Sequence, residues 1–213
     1  KWKIKELDFG RFGELNPNLD VSPNGEMIIY PKYGYGKNQS LGFDIWRVDT
    51  KTKKKVKLTN SKRANYPKFS PDGKSILFIA HENSTSQLYT MDIDGRDIKQ
   101  ITSNEGDVQI VTPAWSPDGR SVAFAMSESD GSMDIHTLEL STGKTQQITN
   151  SPEIDASPIW HPKGDMISYT GYYDITPNLY TYDFSNGKTI QNTDLWDLQK
   201  GVDWNAQYST ITA

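Results

Sequence analysis

The sequence contains no cysteine in its 213 residues. Disulfides and cysteine-ligated metal sites are therefore excluded, and an oxidising or a reducing compartment would suit the chain equally. No run approaches the roughly 20 apolar residues that a membrane-spanning helix needs, so direct membrane insertion is not expected. No secretory leader is visible, so such a segment was either removed or never present. Position 1 is Lys1 rather than Met, which favours a processed or partial chain. No stretch places apolar residues at helical spacing. Catalytic vocabulary is also sparse. There is no Gly-x-Ser-x-Gly elbow and no His-Glu-x-x-His pair. The three histidines, His81, His136 and His161, stand at unlike places in the pattern described next. No cofactor, metal or catalysis is expected. The formal charge of −4 argues against a general nucleic-acid binder.

One phrase recurs. Ser22-Pro23-Asn24-Gly25 returns as Ser70-Pro71-Asp72-Gly73, as Ser116-Pro117-Asp118-Gly119 and, altered, as His161-Pro162-Lys163-Gly164. The prolines are 48, 46 and 45 residues apart. A period in the forties means stacked copies of one supersecondary unit. Each phrase is preceded by a short apolar run such as Pro113-Ala114-Trp115 and followed by a β-rich run such as Ser121-Val122-Ala123-Phe124-Ala125. A variable polar loop follows, then an alternating strand ending in an acid, such as Asn178-Leu179-Tyr180-Thr181-Tyr182-Asp183. A glycine turn closes the unit onto Lys57-Leu58-Thr59, Gln100-Ile101-Thr102, Gln147-Ile148-Thr149 and, more loosely, Thr189-Ile190-Gln191.

That is four short strands, here called a to d, with Gly, Pro, Asn or Asp between them. Proline presets φ in the turn, and glycine accepts the positive φ that other residues resist. Four-stranded units repeated radially build a β-propeller; a β-solenoid has coils much shorter than 45 residues. The fold class expected is all-β: one domain over 1–213, with blades over 19–60, 65–103, 111–150 and 156–193. A partial blade is expected over 202–213 and an outer strand over 1–8. These two half-units either close a ring or belong to a larger propeller.

The phrase Pro-x-Trp/Phe-Ser-Pro-Asp-Gly-Lys/Arg-Ser, followed by Asp-Ile-Trp and later Ile-Thr, resembles the TolB-like propeller repeat of bacterial envelope proteins. Pro67 to Ser75 and Pro113 to Ser121 match it without a break, whereas Asn24 and His161 depart from it. The resemblance covers residues 19–192. It implies a periplasmic or cell-envelope setting and a protein partner. It fixes no function, since one fold hosts many activities. WD-type repeats and the Asp-box of sialidases are set aside, because Gly-His and Trp-Asp are missing and Asp72-Gly73 and Asp118-Gly119 have no residue between them.

Several features read as structural. The basic run Lys51 to Lys57 falls on a c–d hairpin, where charge also blocks edge pairing. Asp92, Asp94 and Asp97 form a tight turn rather than a calcium loop, which needs more oxygen ligands and a terminal glutamate. Phe69, Trp115, Trp160 and Trp204 share one repeat position and are expected to be buried between blades.

The a–b and c–d turns emerge on one face and are monotonous. The b–c and d–a loops emerge on the other and vary, which is where function concentrates on a rigid scaffold. The candidate partner-binding residues lie there. Tyr33, Tyr35, Tyr172 and Tyr173 are expected in b–c loops as aromatic anchors. Lys62 and Arg63 supply a basic side, and Glu105, Asp107, Glu153 and Asp155 an acidic one, a field suited to orienting a partner. The leading reading is a non-catalytic binding or scaffold propeller. One alternative is the accessory propeller of a larger hydrolase of the prolyl-oligopeptidase type. The other is a small-ligand or sugar-binding propeller, for which Asn65, Val111 and Ala156 make a poor channel lining.

Overall fold

A computed structural model describes residues 18–36, 41–82, 84–127, 131–173 and 176–194. Every described strand belongs to one of four antiparallel sheets, and the strand order within each follows the chain. Blade 1 comprises β1 (Asp20–Val21), β2 (Met27–Tyr35), β3 (Leu41–Asp49) and β4 (Lys55–Lys57). Blade 2 comprises β5 (Ala64–Phe69), β6 (Ser75–Glu82), β7 (Thr85–Asp92) and β8 (Lys99–Gln100). Blade 3 comprises β9 (Ile110–Trp115), β10 (Ser121–Ser127), β11 (Met133–Glu139) and β12 (Lys144–Gln147). Blade 4 comprises β13 (Asp155–Trp160), β14 (Met166–Gly171), β15 (Asn178–Asp183) and β16 (Lys188–Gln191). The expected blade architecture is borne out, with each a strand ending where the proline phrase begins. The outer strand expected over 1–8 and the partial blade over 202–213, with Trp204, lie outside the described residues.

The repeated phrase builds its own turn. Ser70 Oγ donates to Asp72 Oδ1 at 2.6 Å and accepts from the Ser75 amide at 2.9 Å. Gly73 takes φ +69° between them, a conformation that costs glycine least. Ser116 and Asp118 repeat this set at 2.6 Å, and Ser22 and Asn24 do so at 2.7 Å. The fourth copy has neither residue. There His161 Nδ1 meets Asp165 Oδ1 at 3.0 Å, so the capping carboxylate has moved two positions along the chain.

A second repeat emerges only in three dimensions. One position early in each c strand is filled by a polar residue, Asp44, Gln87, Asp134 or Asn178, and all four are buried. Each accepts a threonine hydroxyl, from Thr59, Thr102, Thr149 and Thr193 respectively. The same hydroxyl accepts the next amide of the c strand, from Ile45, Leu88, Ile135 and Leu179. The fourth member is Thr193, not the Thr189-Ile190-Gln191 expected to end the unit. β16 registers Gln191 against Tyr180, as Gln147 stands against His136, so the threonine falls two residues later.

Alternation of side chains across each strand gives every inner blade two apolar faces. Blades 1 and 2 share Ile29, Ile45, Ile76, Phe78 and Met91. Blades 2 and 3 share Leu77, Ile79, Leu88, Val122, Phe124 and Leu138. Blades 3 and 4 share Ala123, Ala125, Ile135, Ile167, Tyr169 and Tyr180. Phe69 is buried as expected. Trp115 and Trp160 are only half-buried, and the reason is polar. Their indole N–H groups donate to the neighbouring blade at Lys68 O (3.2 Å) and Ala114 O (3.3 Å), which holds each ring edge at the blade boundary.

Candidate binding face

The threonine relay also positions the d–a loops. Asp44 accepts the amides of Ser61 (3.1 Å) and Lys62 (3.3 Å). Gln87 accepts the amide of Asn104 at 3.0 Å, and Asp134 that of Ser151 at 3.1 Å. The charged residues predicted from the sequence follow directly behind these anchors. Lys62 lies 3.3 Å from Glu82 and 5.3 Å from the Tyr89 ring centroid. Arg63 is exposed, with its chain against Gly42. Glu105, Asp107 and Glu153 are exposed.

The tyrosines separate into two kinds. Tyr33 and Tyr35 belong to β2 itself rather than to a loop, because β2 and β3 stay paired out to Tyr35 and Leu41. Tyr33 is half-buried and meets Phe43 edge-on at 5.1 Å. Tyr35 is 73% exposed. Tyr172 is exposed in the loop after β14, where its amide donates to Ile154 O at 3.0 Å. Tyr173 is turned inward. Its hydroxyl donates to Asp155 Oδ2 at 3.0 Å and lies 3.2 Å from Tyr169 Oη, while its ring meets Tyr180 edge-on at 4.6 Å.

Asp155 departs from its expected place on an acidic rim. It is fully buried, because it opens β13 at the position held by Ala64 in β5 and Ile110 in β9. Among the described residues its Oδ1 has no hydrogen-bond partner. Burial raises its affinity for a proton, and the neighbouring charge of Asp134 adds to that effect. Burial likewise pushes the Tyr173 phenol well above its usual range. Asp155 is thus part of the blade 4 core, and Tyr173 packs half-buried against it with its hydroxyl turned inward.

Two exposed residues belong with the predicted ones and escaped sequence reasoning. Leu41 pairs with Tyr35, and Ile154 carries the carbonyl that Tyr172 holds. Both sit in stretches that read as ordinary strand or loop, so only their exposure marks them. No group of three or more metal-ligating side chains occurs among the described residues, and no described helix could cross a membrane.

Consecutive four-stranded blades sharing apolar faces define a β-propeller-type repeat protein. The family described as the TolB beta propeller domain matches residues 108–211. The Tol-Pal system protein TolB of Francisella tularensis subsp. mediasiatica is 40% identical over 102 residues, covering 46% of this chain and 23% of that protein. The chain therefore matches under a quarter of the length of that relative. The crystal structure of TolB from Acinetobacter baumannii is similar with a TM-score of 0.68 and 20% identity, covering 82% of this chain and 42% of that one. Puromycin hydrolase is similar with a TM-score of 0.61 and 19% identity, covering 82% of this chain and 30% of that one. At such identities the two structures speak to the fold alone.

Proposed function

We propose that this chain is a non-catalytic binding propeller of the bacterial cell envelope that docks a protein partner on its loop face. The observation that carries the reading is a pair of exposed apolar spots at the loop ends of blades 1 and 4. Tyr35 and Leu41 are 73% and 47% exposed, and Ile154 and Tyr172 are 45% and 43% exposed. Exposed aromatic and aliphatic side chains set among charged loops are what interface anchors look like before binding. The acids Glu105, Asp107 and Glu153, together with the basic Lys62 and Arg63, orient the partner more than they tighten it. Similarity to a protein named for the Tol-Pal system supports the envelope setting. Similarity to puromycin hydrolase keeps the accessory-propeller reading open at the level of fold only.

The test is a pull-down from a bacterial envelope extract with wild type, a Tyr35→Ala/Tyr172→Ala double variant, and Lys74→Glu on the turn face. Truncating true anchors weakens binding by about 2 kcal/mol or more, so the double variant should lose most of its partner while Lys74→Glu keeps it. Equal recovery by wild type and the double variant defeats the anchor assignment. Loss with Lys74→Glu alone moves the interface to the turn face.

A further inference from the structure

The altered fourth phrase has no part in the loop face, yet it changes the opposite one. A groove of about 710 Å³ opens there between blades 3 and 4. An equivalent groove of about 670 Å³ opens between blades 2 and 3. Repetition explains their common shape, so the second groove serves as an internal control for the first. Their linings differ in two respects.

The first difference is charge. The groove between blades 2 and 3 is lined by Asp72, Asp118 and one cation, Lys99. The groove between blades 3 and 4 is lined by Arg120, Lys144 and Lys163 beside Asp118 and Glu139. Both of those acids are engaged locally. Asp118 accepts from Ser116 Oγ and the Arg120 amide, and Glu139 accepts from the hydroxyls of Ser141 and Thr142. Among the described residues neither Lys144 nor Lys163 forms an ion pair, whereas Lys51 and Lys57 in blade 1 do. Lys163 stands where the other copies carry Asn24, Asp72 and Asp118. The turn does not need it, because His161 and Asp165 close the turn in its place. A residue that breaks a local rule, with the structural cost met elsewhere, is where function is expected.

The second difference is the wall. Trp160 and Phe184 stack at 5.6 Å and 14°, and Tyr182 meets Phe184 edge-on at 5.2 Å. The corresponding wall of the control groove pairs Trp115 with the aliphatic Leu140. Both aromatics of the first groove line its cavity.

We propose that the groove between blades 3 and 4 is a binding site for an acidic sugar, whose ring stacks on the Trp160–Phe184 wall and whose carboxylate or phosphate sits among Arg120, Lys144 and Lys163. The volume falls within the roughly 300–1,000 Å³ of small-ligand sites. An aromatic face contributes area and orientation to a ring lying on it. Arg120, Lys144 and Lys163 are exposed at the groove, and three cations clustered at a groove attract an anion. A bare anion would make no use of the wall, and a neutral sugar would make no use of the cations. The site lies on the face opposite the proposed protein interface and stands or falls separately from it.

The test uses the whole chain and a variant built from the repeat itself. Lys163→Asp and Phe184→Leu install the residues of the equivalent positions Asp118 and Leu140, so the double variant should fold; its melting temperature is compared with that of wild type. Binding is followed by the indole N–H resonance of Trp160 in NMR titrations. The probes are hyaluronan tetrasaccharide (acidic), chitotetraose (neutral), glucose 6-phosphate and inorganic phosphate. The expected result is a dissociation constant of about 1 mM or lower for the acidic tetrasaccharide and a loss of about tenfold or more in the double variant. Chitotetraose should bind weakly to both proteins. Comparable binding of glucose 6-phosphate supports the site and assigns a sugar phosphate as an equal source of the anion. An unmoved Trp160 signal, equal affinity of the two proteins, or inorganic phosphate binding as well as either acidic sugar would overturn the proposal.

Discussion

The junction between blades 2 and 3 and the junction between blades 3 and 4 share one backbone plan and are filled with different chemistry. The first is aliphatic around a single phenylalanine, with Leu77, Ile79, Leu88, Ile110 and Leu138 against Phe124. In the second, Ala123 and Ala125 replace the larger Leu77 and Ile79, and Tyr169 and Tyr180 fill the space that results. Tyrosine brings a hydroxyl that must be satisfied when buried. Tyr173 and Asp155 answer that need, and Asp155 stands where the first junction has Ile110. A repeat therefore specifies where side chains meet, while each junction solves its own volume and polarity problem. An aliphatic junction has large stability at stake in shape and little dependence on pH. A tyrosine–aspartate junction adds a titration to its packing.

The largest effect should come from breaking the aliphatic side. Phe124 is 1% exposed, and Phe124→Ala should cost about 3–5 kcal/mol through lost transfer energy and the cavity left behind. Chemical denaturation with an unchanged slope would measure it. A loss under about 1 kcal/mol would mean that the blades repack around the gap and that the shape argument fails.

A middling effect should separate the junctions by pH. Burial raises the Asp155 carboxyl above its ordinary value, so the folded chain holds this proton more tightly than the unfolded chain does. Its contribution is complete below the ordinary carboxylate range and is lost as pH rises from there through the raised folded value. Asp155→Asn keeps an acceptor for Tyr173 and removes the titration. The variant should match wild type in acid and exceed it at neutral pH by about 1.4 kcal/mol for each unit by which folding raises the carboxyl, because only the charged form is penalised by burial. Melting curves across pH that run parallel for the two proteins would refute the linkage.

The smallest effect sharpens the comparison within the relay. Thr102→Val and Thr149→Val each remove a hydroxyl that bridges a c-strand amide and a buried acceptor. Each should cost about 1–2 kcal/mol. Thr149→Val should cost more, because the acceptor it abandons is the carboxylate of Asp134 rather than the amide of Gln87. Equal losses would show that acceptor charge carries no weight at this position.

Much of this was legible in the chain. The proline phrases and the period-two runs between them determine four-stranded antiparallel blades and the position of every a–b turn, because turn chemistry and alternation act over a few residues. The candidate site was legible only in part. Lys62, Arg63, Glu105, Asp107 and Glu153 lie in the loops between d and a strands, and Tyr172 is exposed. Asp155 reads as a loop residue, yet it is core, and the loop residue Tyr173 packs half-buried against it, since burial depends on which blade lies against the next. The Thr193 member of the relay was hidden by a two-residue offset that only strand register resolves. Leu41 and Ile154 carry no local signal at all. Local sequence thus determined the elements and the turns, through steric preferences of single residues. The tertiary structure alone decided which acid is buried, which tyrosine is free and which groove turns basic, because each of those is set by contacts between residues about 20 to 50 positions apart in the chain.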